Sequence, residues 1–149
     1  MPLKKLEREK REEQHLFYTS LKYTKTGELM VSVIKKMVEV VALSLQIALE
    51  HAKKKKLIKV VPKTPLEQLE LAKKIFKKEK AIIDFLGFYE TMRNIDKYKK
   101  VTESEFRKGL TMKIFVNNEV ITLDMTKFSE VQNKFENFMK AIENFIRAK

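Results

Sequence analysis

The sequence predicts a mostly α protein, an up-and-down bundle of four to five helices with a β-hairpin inserted before the C-terminal helix. Three observations predict it. Only three Gly and three Pro occur in 149 residues, which is too little turn chemistry for a many-stranded sheet. Apolar residues recur at helical spacing along most of the chain and alternate at strand spacing in one place, Thr111 to Met125. A hydrophobic share of 44% against 35% charged residues fits one globular unit, residues 1–149, with its core at about 28–100 and residues 111–125 and 127–148 as an extension.

Residues from about Leu3 to Tyr23 read as a first helix, with near-balanced charges at its start and Leu16, Phe17, Leu21 and Tyr23 toward its end. Its first dozen residues are expected to project from the core. "TKTG" at 24–27 is a turn, and a long second helix runs from about Glu28 to Lys55. The polar residues Ser32, Lys35, Lys36, Glu39, Gln46 and Glu50 fall on a narrow stripe of it, and apolar residues such as Val33, Ile34, Met37, Val41 and Leu45 cover the rest. Such a helix belongs in the middle of a bundle. Lysines 53–56 lie in its last turn, where cations meet the negative end of the helix dipole.

Thr64, Pro65 and Glu67 supply an N-cap, a proline at the first helical position and a capping-box glutamate, so a third helix starts at Pro65 and runs to about Lys78. A fourth, from about Glu79 to Lys97, aligns Ile82, Phe85, Leu86, Tyr89 and Met92 on one face. Gly87 costs about 1 kcal/mol against Ala in a helix interior, which predicts close approach of another helix there. After the charged segment 97–108, "TMKIFVNNEVITLDM" gives two strands, 111–116 and 119–125, joined by Asn117 and Asn118, which tolerate the positive φ of a tight turn. The last helix spans about 127–148, with Thr126 as its N-cap. Its Phe128, Val131, Phe135, Phe138, Ile142 and Phe145 alternate spacings of three and four, a seam that either packs on its own bundle or joins a second copy.

Composition also excludes chemistry. With no Cys and only His15 and His51, disulfides, thiol nucleophiles, Cys-ligated zinc and multi-histidine metal sites fall away. There is no Gly-rich phosphate loop and no Gly-flanked serine elbow, so neither a cofactor nor a metal is expected. The start "MPLKKLEREKREEQHLF" lacks the apolar core of a signal peptide, and Lys35, Lys36, Glu39 and Gln46 interrupt the most apolar segment, which together predict a cytoplasmic protein with no membrane span. The Lys, Glu and Ile bias leans toward thermophile composition. A net charge of +12 favours a polyanionic partner, or else reflects lysine loaded onto every surface.

One segment gathers polar side chains at a helix end: "FYETMRNIDKYKK", residues 88–100. The order of a long apolar helix, a "PKTPLEQL" helix start, a helix closing on aromatic residues and "MRN", and then Tyr98 resembles the HEPN family over about residues 28–100. Members of that family are helical nucleotide-binding or RNA-processing domains of prokaryotic toxin–antitoxin and nucleotidyltransferase systems. The resemblance implies a homodimer in which an Arg, a polar neighbour and a His four to six residues later line the groove and cleave RNA without metal. Arg93 and Asn94 match the first half, but Tyr98 or a lysine stands where the His belongs. Tyrosine, with a pKa near ~10, is a poor general acid or base at neutral pH.

The expectation is therefore a HEPN-like, non-catalytic homodimer that binds RNA or a nucleotide, or partners a nucleotidyltransferase. Arg93, Asn94, Lys97, Lys99, Lys100, Arg107 and Lys108 would hold phosphates and Tyr98 would stack on a base. Three other readings stand beside it. Arg93 and Asp96 form a surface pair while Tyr98 closes the core edge; the Phe-rich last helix makes the chain a protein-interaction module that oligomerises; or Arg93 cleaves RNA with Tyr98 or His51 as its base.

Overall fold

Side-chain caps set the starts of three of the α-helices. In the computed structural model, which describes residues 2–148, helix α1 spans Pro2–His15 and passes into a π-helical turn at Leu16–Leu21. Thr26 then caps α2 (Gly27–Lys54), its hydroxyl accepting from the Leu29 N–H at 3.2 Å. Thr64 does the same for α3 (Pro65–Ile75), accepting from Glu67 with Pro65 at the start, as the sequence predicts. Helix α4 (Lys80–Met92) ends five residues earlier than expected, and a short 3-10 turn, Ile95–Lys97, follows it.

What comes next departs from the sequence reading. Lys99–Glu103 is a strand, β1, so the expected hairpin of β2 (Thr111–Val116) and β3 (Glu119–Asp124) is completed to a three-stranded antiparallel sheet in the order β1-β2-β3. Only Asn117 of the two turn asparagines takes positive φ, at 55°. Helix α5 (Met125–Arg147) is capped not by Thr126 but by Asp124, whose carboxylate accepts from the Lys127 N–H at 2.7 Å.

The core crosses the expected boundaries. Leu6 of α1 is as buried as Ile34 and Val41 of α2, and the first dozen residues pack along α2 and α5 instead of projecting. Rungs Glu7–Arg147, Lys10–Glu143, Gln132–Glu13 and Phe17–Phe128 step in opposite directions along α1 with its π-turn and α5, so these two run antiparallel. Phe128, Phe135, Phe138 and Ile142 of the α5 seam are fully buried, with the Phe135 and Phe138 rings tilted against Phe85 of α4 at centroid distances of 5.7 and 5.5 Å. Helix α5 is thus a central core element and not an extension. Met112, Ile114 and Leu123 on the inner face of the sheet join the same core.

The close-approach glycine is also not the expected one. Gly87 is exposed, and a Cβ there would meet nothing within 4 Å. At Gly27 a Cβ would lie 2.3 Å from Thr102 Oγ1, so it is the start of α2 that needs a glycine to let β1 pass.

Candidate nucleic-acid interface

The end of α4 is built as a helix stop. The Arg93 N–H donates to the Tyr89 carbonyl at 3.0 Å and the Asn94 N–H to Thr91 at 3.4 Å. Arg93 is half-buried, and Asn94 and Lys97 are exposed. Burial pushes the Tyr89 hydroxyl above its ordinary pKa, and the Arg93 charge opposes that rise. Asp96 pairs with Lys35 of α2 at 3.0 Å, not with Arg93; both partners are well solvated, so the pair contributes little.

Two of the expected binding residues are engaged elsewhere. The Tyr98 hydroxyl donates to the Thr91 carbonyl at 3.1 Å while its ring packs against the core, so Tyr98 closes the core edge. Lys100 donates to the carbonyls of Ile95 and Tyr98 at 2.7 and 2.9 Å, which fastens the turn and holds its ammonium against backbone. His51 is no base for this site within the chain. Its Nε2 lies 3.1 Å from the Ala148 carbonyl and its ring packs edge-on to Phe145. The Lys35–Asp96 contact puts the turn beside the first third of α2, and His51 lies sixteen residues further along that helix, about 24 Å at ~1.5 Å per residue.

Arg93, Asn94 and Lys97 stay at the end of α4 and its turn, whereas Lys99, Arg107 and Lys108 fall on the sheet and its loop, a surface the sequence reading passed over. The register pairs Lys99 with Phe115 and Phe115 with Val120, while Val101 faces Lys113. Strand alternation sends Met112 and Ile114 inward, so Lys99, Val101, Lys113, Phe115 and Val120 share the outer face of the sheet. Val101, Phe115 and Val120 remain exposed. The Lys99 ammonium sits 6.0 Å from the centroid of the Phe115 ring, at the limit of a cation–π contact. Lys113 has only a loose, solvated pairing with Glu103 at 3.8 Å.

Arg107 and Lys108 sit in the β1–β2 loop, next to Phe106. Phe106 is 72% exposed and holds φ 66°, a left-handed conformation that costs a non-glycine residue on the order of 1 kcal/mol. Its N–H donates to the Lys25 carbonyl, which ties the loop to the α1–α2 connection. Strand pairing puts this loop four residues from Phe115, about 13 Å along the sheet at ~3.3 Å per residue. Two aromatic rings, each beside solvated cations, thus stand at the two ends of one sheet. A sequence signal for the second existed: "EFRKG" sets an aromatic directly before two cations in an otherwise polar segment.

No protein-family model, no curated protein and no solved structure matches this chain. Among the described residues no helix is long and apolar enough to cross a membrane.

Proposed function

We propose that the protein binds single-stranded RNA, without cleaving it, on the outer face of its three-stranded sheet and the β1–β2 loop. The observation that carries this reading is Phe106, exposed and held in a left-handed backbone between the sheet and the cations Arg107 and Lys108. A polar residue would solvate that position at lower cost; an aromatic ring kept in water offers a stacking surface. Base stacking on such a ring contributes about 1–3 kcal/mol per base and tolerates any base. Phe115, with Lys99 beside it, repeats the pattern. The binding residues carried over from the sequence are Lys99, Arg107 and Lys108, joined by Phe106, Phe115 and Lys113.

The engaged Tyr98 hydroxyl and the distance of His51 from Arg93 within the chain support a non-catalytic reading. The HEPN resemblance adds a homodimer and a nucleotidyltransferase partner to this proposal; the antiparallel α1 and α5, which lie outside the resembled segment, support an up-and-down order of the bundle.

Fluorescence anisotropy with a labelled single-stranded RNA, with a gel to follow its integrity, tests the reading. Four phosphate contacts, from Lys99, Arg107, Lys108 and Lys113, give a log–log salt slope of about −3. The RNA stays intact, and Phe106→Ala with Phe115→Ala weakens binding at least about tenfold. Arg93→Ala leaves it nearly unchanged. No binding at low salt, or binding that the double substitution leaves alone, would overturn the proposal and make the same face a protein-docking surface.

A further inference from the structure

A separate cavity of about 600 Å³ opens between α1 and α2, lined by Arg8, Arg11, Glu12, His15, Leu16 and Lys36. None of the residues of the sheet face or its loop lines it. Its volume falls in the range of small-molecule sites. Arg8, Arg11 and His15 are spaced three and four residues apart, so they stand on one face of α1.

The charges of the cavity divide into two groups. Lys36 donates to Glu9, to Glu12 at 2.7 Å and to Glu39 at 3.4 Å. Partial desolvation works against its charge, but the hydrogen bonds to Glu12 and Glu9 prevail and hold its pKa above the ordinary lysine value. Of these carboxylates only Glu12 lines the cavity, so within its lining Lys36 and Glu12 offset each other. Arg8 and Arg11 have no carboxylate within ion-pairing distance among the described residues, although acidic residues flank both in sequence. Two guanidinium groups therefore face the cavity region without an internal anion.

A second, independent feature lies at the same place. Helix α1 gives way to the π-helical turn at Leu16, directly after His15. A π turn inserts an extra residue into the helix and re-aims the side chains around it, and such turns occur often at functional sites. Here it begins at the apolar Leu16, beside the imidazole that helical spacing has already set next to the two arginines.

We propose that this cavity binds a small phosphate ester of mononucleotide size, with Arg8 and Arg11 on the phosphate and His15 and Leu16 against its ring. Guanidinium groups present forked donors that match phosphate oxygens, and paired arginines bind them better than single point charges do. The apolar Leu16 and planar His15 select an ester with a flat body over the free ion.

Isothermal titration with AMP, adenosine and inorganic phosphate as probes tests this. AMP is expected to bind with a Kd below about 1 mM, and each half-ligand at least about tenfold more weakly. Arg8→Gln with Arg11→Gln should remove about tenfold or more of the AMP affinity while leaving the thermal melt and the Phe106- and Phe115-dependent RNA affinity in place. AMP that fails to bind at about 10 mM, that binds the double variant equally, or that binds no more tightly than inorganic phosphate would overturn the assignment. The RNA test and this one use different probes and different substitutions, so either proposal can fail alone.

Discussion

Glu13 lies in the charged run "EREKREEQH", yet it has no solvent exposure. One of its carboxylate oxygens accepts from Gln132 Nε2 at 2.9 Å; the other, like Gln132 Oε1, has no partner. Desolvation, partly offset by that hydrogen bond and reinforced by the Glu136 charge, pushes its pKa up to about 7 from 4.5. The folded chain holds this proton more tightly than the unfolded chain does. The contribution of Glu13 to stability is therefore highest below about pH 4.5, and it falls as pH rises through the 4.5 to 7 window by about 3 kcal/mol. Glu13→Gln keeps the shape without the charge and can donate to the orphan oxygen of Gln132. Its melting temperature should exceed that of the parent by roughly 5–10 °C at pH 8 and match it at pH 5, as read by circular dichroism. A parent melt flat between pH 5 and 8 would refute this. Nothing in the local sequence distinguishes Glu13 from Glu12, because its burial is decided by a glutamine 119 residues away.

At the scale of elements, what was legible depended on whether a segment carries its own signal. Helices α2 and α3 announce themselves through an unbroken apolar face and through Thr64-Pro65, and their starts fall within one residue of the expected positions. Strand β1 does not. "KKVTE" contains a single apolar residue and becomes a strand only because β2 offers it hydrogen bonds. Glycines show the same division. Gly87 was read as a packing contact from its position in a helix, and Gly27 as part of a turn, whereas the contact belongs to Gly27. Opposite outcomes follow: Gly87→Ala, on an open helix surface, should stabilise by about 0.5–1 kcal/mol. Gly27→Ala should destabilise by about 1–3 kcal/mol, because its methyl would crowd the β-branched Thr102. Urea midpoints of the two variants decide the matter, and equal midpoints would refute the packing argument.

For the whole molecule, the fold class was legible and the placement of its surface chemistry was not. Few breakers and strong apolar periodicity fix a helical core, but which cations remain free depends on which are drawn inward. Lys100 and Tyr98 bind backbone carbonyls, while Lys99, their neighbour, alternates to the open face. The Phe-rich seam follows the same logic at larger scale. Phe135 and Phe138 are fully buried against α4 inside one chain. Phe135→Glu with Phe138→Glu would force two carboxylates into that core, at a cost comparable to the total stability of a domain of this size, on the order of 10 kcal/mol. The double variant is expected to lose its helical circular dichroism; a folded variant with an altered oligomeric state would instead place the seam between chains.

Strand β1 is paired on one side only, which leaves a line of unmet backbone groups along the other. An open border of that kind invites a neighbouring copy to add its own strand and grow a continuous ribbon. Lys99 and Lys100 at its head and Glu103 at its foot set like charges against each other when a second β1 adds parallel and in register, and opposite charges when it adds antiparallel. Charge along this border thereby biases the direction in which a neighbouring strand could add, disfavouring the parallel one.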